Sequence, residues 1–86
     1  MVMSTMKARV YVSLKKTVLD PQGQTIRTAL NGRGYGMIED VRQGKVFEIA
    51  VSPGGDRASV GAKLEEIARD ILANPVIEEF RVEWVD

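Results

Sequence analysis

The chain has 86 residues, of which 12 are basic and 12 acidic, and it contains neither cysteine nor histidine. Zero net charge argues against nucleic-acid and membrane-surface binders, which need a positive excess, and no apolar run approaches a membrane span. Without disulfides, a chain that buries roughly 60–65% of its unfolded surface has a thin core, so self-association is the expected support. We therefore expect a soluble, cytoplasmic, self-associating protein.

The first half of the chain predicts a strand and a helix. Residues 1–6 are interpreted as a flexible extension, and residues 7–86 as one domain. Apolar and polar residues alternate over 7–14, which is typical of a strand with one buried face. Asp20-Pro21 then supplies an N-cap and a first helical residue. The apolar face of this helix carries Ile26, Ala29 and Leu30, and Gly34 suits its C-terminal end.

The second half predicts two strands, a helix and a final strand. The first two strands are expected at residues 37–42 and 45–51, joined by a tight turn at Gln43-Gly44. A loop over 52–56 precedes the second helix, at residues 58–73. Its apolar residues recur at helical spacing: Val60, Leu64, Ile67, Ala68, Ile71 and Leu72. Asn74-Pro75 ends this helix, and the last strand is expected at residues 77–85.

The order β-α-β-β-α-β is that of the ferredoxin-like fold. We therefore predict an α+β domain, with an antiparallel sheet that carries both helices on one face. In a dimer, this sheet would be extended or covered.

The second face of the predicted sheet mixes charged and apolar side chains. It would carry Arg9, Tyr11, Val46, Glu48, Ala50, Arg81, Glu83 and Val85. This mixture is too charged for a monomer core and more apolar than a solvated face needs. An ordinary exposed face remains an alternative, but we favour a subunit interface, because such interfaces are only modestly apolar overall.

No catalytic, metal-binding or cofactor-binding constellation is predicted. Without cysteine and histidine, the chain lacks the groups of a Cys-His pair, a Ser-His triad or a typical metal site. Glu65 and Glu66 are neighbours on a helix and cannot converge on one substrate. The glycine-rich stretch at 32–36 closes a helix rather than opening one, unlike a dinucleotide loop. The Pro53-Gly54-Gly55 loop lacks the remaining residues of a P-loop.

Basic residues cluster at two places, a strand end and a predicted turn. These are Lys15 with Lys16, and Arg42 with Lys45. They either solubilise the surface or contact an acidic partner. We expect long side chains at such positions to reach outward and to contribute to docking more than to folding.

Three segments in chain order resemble the PurS family, the accessory subunits of phosphoribosylformylglycinamidine synthase. They read KARVYVSLKKTVLDPQG at 7–23, Gly34-Tyr35 followed by DVRQGK at 40–45, and LANPVIEEFRVE at 72–83. Together they span nearly the whole domain. Asn31-Gly32 departs from the pattern late in the first helix, where glycine is a poor helix former.

The resemblance implies a non-catalytic subunit of a purine-biosynthetic ligase complex. In that complex a glutaminase subunit releases ammonia, and a large subunit uses ATP and Mg for the amidination. The family forms dimers or larger assemblies, bridges the two other subunits and assists ammonia transfer. The alternative is an ACT-like ligand-binding regulatory module, which shares the element order. Acylphosphatases and RNA-binding modules share it too, so the fold alone does not choose among them.

Overall fold

A computed structural model describes residues 6–85 of the chain. Its elements are β1 (Met6–Leu14), α1 (Pro21–Gly32), β2 (Gly44–Val51), α2 (Arg57–Ile67), a π-helical turn (Ala68–Leu72) and β3 (Glu78–Trp84). Residues 1–5 of the expected extension lie outside the described residues. Met6, the last residue of that extension, already belongs to β1 and pairs with Val51.

The three strands form one antiparallel sheet in the order β2-β1-β3. Alternation in β1 places Ala8, Val10 and Val12 on the buried face, because successive side chains of a strand point to opposite sides. Arg9 lies on the other side, opposite Glu48 of β2 and Glu83 of β3. The predicted α+β class with an antiparallel sheet is confirmed.

The hydrophobic core lies between this sheet and α2 with its π-helical turn. Its buried members are Val10, Val12, Ala68 and Ala73, and the partly buried residues packed around them are Phe47, Ile49, Leu72, Phe80 and Val82. α2 starts at Asp56, whose carboxylate accepts a hydrogen bond from the Ser59 backbone N–H at 3.1 Å. This N-cap satisfies a backbone donor that the helix itself cannot pair.

The predicted helix over 58–73 is interrupted by the π-helical turn, and the prediction that Ile67 and Ile71 belong to its core face is wrong. The Ala73 N–H donates to the Ala68 carbonyl at 2.9 Å, a bond five residues back. A π turn is wider than an α turn, so side chains beyond it rotate relative to the α-helical pattern. Ile71, within the turn, is 73% exposed. Ile67 precedes the turn and is already 37% exposed, so the turn does not account for its exposure.

The predicted strand at 37–42 and the tight turn at Gln43-Gly44 are wrong. The described order is β-α-β-α-β, and Gly44 is the first residue of β2 rather than a turn residue. Residues 38–43 have no regular structure and run into β2 without a turn. The Gln43 N–H donates to the Asp20 carboxylate at 2.6 Å, which ties the segment to the start of α1 and not to a strand.

α1 and the segment that returns from it form an arm, residues 21–43, beside the sheet. Gly23 is the buried residue of α1, and the described core contains no residue of this helix. The radius of gyration is 17.1 Å and the dimensions are 52 × 33 × 15 Å, whereas a compact chain of this length has a radius of about 12 Å. α2 therefore covers the sheet, while the apolar face of α1 does not pack on it within the chain.

The base of the arm is held by Asp20 and Arg42. Asp20 is 4% exposed and accepts hydrogen bonds from the backbone N–H groups of Gly23, at 2.9 Å, and Gln43. One guanidinium nitrogen of Arg42 donates to the carbonyls of Lys15, at 3.0 Å, and Val18, at 2.8 Å. Arg42 therefore does not reach outward as expected, because it closes the loop before α1.

We expect the Asp20 carboxylate to make the stability of the chain depend on acid pH. Backbone hydrogen bonds, first from Gln43 and then from Gly23, lower the pKa of Asp20. A carboxylate with a lowered folded-state pKa adds stability above its unfolded pKa of about 3.9, and this contribution is lost as pH falls through the folded pKa. Asp20→Asn should therefore be less stable than the parent chain at neutral pH, and the gap should close in strong acid.

Urea unfolding at a series of pH values measures this gap. Asp56→Asn is the matched control, because Asp56 caps α2 but holds no second segment within residues 6–85. At neutral pH we expect Asp20→Asn to destabilise the chain more than Asp56→Asn does. If the difference in unfolding free energy between Asp20→Asn and the parent chain stays constant down to strong acid, the lowered pKa of Asp20 is contradicted.

Candidate functional site

The face of the sheet opposite α2, here called the open face, is the candidate functional surface. Its central row is the outward-pointing set of β1, and its outer rows come from β2 and β3 through the strand register. The residues are Lys7, Arg9, Tyr11 and Ser13; Val46, Glu48 and Ala50; and Glu79, Arg81, Glu83 and Val85. The predicted members Arg9, Tyr11, Val46 and Glu48 thus lie together on one surface.

Several charges of the open face are paired, either across neighbouring strands or along β3. Arg9 Nε lies 3.2 Å from Glu48 Oε2, and the Tyr11 hydroxyl donates to Glu83 Oε1 at 2.9 Å. The Arg81 guanidinium stacks 4.2 Å from the centre of the Tyr11 ring, and its Nη1 lies 3.4 Å from Glu83 Oε2. These contacts link Tyr11 and its cross-strand neighbours into one network.

The network shifts two pKa values in directions that keep both groups charged. The hydrogen bond from Tyr11 lowers the pKa of Glu83, and Arg81 adds to the effect. Hydrogen bonding with Tyr11, followed by that with Glu48, raises the pKa of the Arg9 guanidinium. Neither group is thereby tuned to exchange protons near neutral pH, which a general acid or base requires.

The open face combines exposed ion pairs with exposed apolar side chains. Its ionic side chains keep between 42% and 72% of their surface exposed, and Val46 is 54% exposed. Exposed ion pairs contribute little to stability, but they fix the orientation of a docking partner. A shallow depression of about 400 Å³ lies at one end of this face, beside Lys7, Arg9 and Glu48.

The predicted basic residues lie near the end of the sheet from which the arm projects. Lys16 and Lys45 are exposed and Lys15 is half-buried. The Lys45 ammonium lies 5.7 Å from the centre of the Phe47 ring. The side chains of the three lysines thus reach the surface, whereas Arg42 is engaged within the chain.

The described residues offer no metal site and no membrane-spanning element. Across residues 6–85, no three of the possible metal-ligating side chains come close enough to hold an ion. No helix in this part of the chain is long and apolar enough to cross a membrane. The role of Asp20 in tethering residue 43 could not be predicted, because its sequence context indicates an N-cap alone.

Comparison with known proteins places the chain among enzyme-complex subunits. Residues 7–86 match the family model described as PurS, phosphoribosylformylglycinamidine (FGAM) synthase. The PurS subunit of Bacillus subtilis phosphoribosylformylglycinamidine synthase is 43% identical over 77 residues, which are 90% of this chain and 89% of the relative.

Two solved structures have closely similar folds. Methanocaldococcus jannaschii PurS, described as a subunit of formylglycinamide ribonucleotide amidotransferase in the purine biosynthetic pathway, superposes with a TM-score of 0.82 at 34% identity, covering 94% of this chain and 96% of that one. A chain of the PurLQS structure from Thermotoga maritima gives a TM-score of 0.85 at 25% identity, covering 96% and 100%.

Proposed function

The chain belongs to the PurS family of phosphoribosylformylglycinamidine synthase subunits, and we propose that it bridges the glutaminase and synthetase subunits of that complex without catalysing a step itself. The observation that carries this proposal is the family match over residues 7–86, with the PurLQS structure among the similar folds. The match favours a synthase subunit over an ACT-like module. The ligase reaction, with its ATP and Mg, is assigned to the large subunit.

The physical task of this subunit is to hold the active sites of the glutaminase and the synthetase in a fixed relative position. Ammonia made by the glutaminase must reach the synthetase before it escapes to solvent, so the path between them must stay closed. An open face with oriented charges and three lysines beside it provides contacts for such docking. We place this assembly in the cytoplasm, where the subunit self-associates as a dimer or larger oligomer.

We expect Lys15, Lys16 and Lys45 to contribute to docking and not to folding. The Lys15→Ala/Lys16→Ala/Lys45→Ala variant should melt within a few degrees of the parent chain, because exposed charges contribute about 0–1 kcal/mol each. It should bind the two partner subunits less tightly, and the deficit should be largest at low salt, where the lost attraction is least screened. Co-elution of the three subunits at several salt concentrations measures this.

Activity provides the second readout of the lysine variant. Glutamine-dependent synthesis by the reconstituted complex should fall, while synthesis driven by external ammonium should fall less. Lys63→Ala is the control, since it removes an exposed lysine from α2, on the opposite side of the sheet from the open face. Unchanged co-elution and glutamine-dependent activity in the triple variant would place the docking surface elsewhere.

A further inference from the structure

Apolar side chains are exposed at the end of the sheet from which the arm projects. Leu19, in the loop that follows β1, is 67% exposed, and Val76, in the loop that precedes β3, is 77% exposed. Ile77, the neighbour of Val76, is 39% exposed. We call these three residues the tip. The described core contains none of them.

The two loops that carry the tip lie side by side. The Lys15 N–H donates to the Ile77 carbonyl at 2.8 Å, which extends the antiparallel pairing of β1 and β3 into the loops. Lys16 and Val76 are the next residues outward from this pair. The Val18 N–H donates to the Lys15 carbonyl at 2.9 Å and closes a turn just before the first tip residue. Single exposed apolar residues need no explanation, whereas a group of them on adjacent loops marks an interaction site.

Further hydrogen bonds hold each loop in shape. One guanidinium nitrogen of Arg42 donates to two carbonyls of the first loop, at 2.8 and 3.0 Å. In the second loop, the Asn74 side-chain oxygen accepts from the Val76 N–H at 3.1 Å, and the Glu78 carboxylate accepts from the Asn74 N–H at 2.7 Å. A surface that is ordered before binding loses less conformational entropy on association. The tip is therefore preorganised within a single chain.

The surroundings of the tip differ in charge from the open face. Residues 15–19 and 74–77 include Lys15 and Lys16 and no acidic residue. The carboxylate that follows them, Glu78, is engaged with the backbone of its own loop. A basic rim selects an acidic partner surface. The open face instead balances basic against acidic residues, which are Lys7, Arg9 and Arg81 against Glu48, Glu79 and Glu83.

We propose that the tip is a docking surface distinct from the open face, and that it enters an apolar recess with an acidic rim on one of the two partner subunits. Leu19 and Val76 are its apolar anchors, and Lys15 and Lys16 pair with the rim. A bridging subunit needs two contact surfaces, and surfaces that differ in charge select different partners. The open face therefore binds the other partner subunit. This inference rests on the bridging role in the proposed function.

Photo-cross-linking within the assembled complex tests which subunit each surface contacts. The chain has no cysteine, so Lys16→Cys beside the tip and Lys7→Cys on the open face each accept one maleimide-benzophenone probe. The two positions are matched, because both are exposed lysines at opposite ends of β1. After assembly with both partner subunits and irradiation, we expect the Lys16→Cys probe to label one subunit and the Lys7→Cys probe to label the other.

Three results of this experiment would overturn the proposal. Both probes could label the same subunit, the Lys16→Cys probe could label only further copies of this chain, or it could label nothing in a complex that has formed. If the parent chain forms no complex with the two subunits, the bridging role itself fails. Co-elution of the parent chain with the partners thus separates failure of the proposed function from failure of this inference.

The contribution of the anchors is measured with Leu19→Ser/Val76→Ser. Titrated into the two partner subunits, this variant should assemble with a Kd about tenfold higher or more, because apolar anchors at the centre of an interface carry much of the binding energy. Leu19→Met/Val76→Ile is the control, since it keeps the apolar surface, and should assemble as the parent chain does. Equal Kd values for the two variants would contradict the assignment. A lower sedimentation mass of the isolated serine variant would show that the tip binds a second copy instead.

Discussion

Ile26→Asp is expected to convert the self-associated protein into a monomer. The substitution places a carboxylate on the apolar face of α1, where Ile26 is 39% exposed and outside the described core. We expect self-association to cover this face, and burial of an unpaired charge is strongly unfavourable. A two-fold dimer contains the contact twice, so even roughly 1.5 kcal/mol at each site weakens association by about 100-fold. Sedimentation equilibrium at micromolar concentration measures the dissociation constant.

The matched control is Thr28→Asp, which introduces the same charge on the exposed side of α1 and should leave the dimer intact. Tyr11→Glu and Val46→Glu, on the open face, should also leave it intact. If those two variants dissociate the dimer and Ile26→Asp does not, the interface is the open face, as the sequence analysis favoured. A native far-ultraviolet spectrum of Ile26→Asp separates dissociation from unfolding.

Gly23→Ala is expected to destabilise the chain, although alanine is the better helix former by about 1 kcal/mol. A Cβ at this position would overlap the Val41 carbonyl oxygen and lie 2.9 Å from the Val41 carbonyl carbon. Both atoms belong to the backbone, so relief requires the return segment of the arm to move away from α1. Such overpacking costs about 1–3 kcal/mol, and each 1 kcal/mol lowers Tm by about 4–8 °C in a domain of this size.

Gly32→Ala is the control for this variant, since it lies at the end of the same helix and an added Cβ would meet no atom within 4 Å. It should leave Tm unchanged or raise it. The Tm values of both variants are measured by thermal unfolding. Gly32→Ala reports the effect of helix propensity alone, and Gly23→Ala reports that effect together with the clash with Val41. A Gly23→Ala chain as stable as Gly32→Ala would mean that the return segment does not rest on α1.

Sequence reasoning determined the features of this protein that depend on neighbouring residues. Side-chain alternation located β1 and two of the other strands, because a strand with one buried face has a period of two. Asp20, Pro21 and Gly34 marked the ends of α1, and Gly34 has a φ of +96°. The three PurS-like segments indicated the family, which the comparison with known proteins confirmed.

Tertiary structure alone decided whether a strand-like segment pairs and which side of a helix is covered. The sequence predicts a strand at residues 37–42, yet the hydrogen bond between the Gln43 N–H and the Asp20 carboxylate holds the end of this segment beside α1. One π turn displaced Ile71 from the core face, and Arg42 closed a loop instead of reaching outward. Each outcome depends on groups distant in sequence or on a single backbone hydrogen bond, and neither leaves a periodic signal in the sequence.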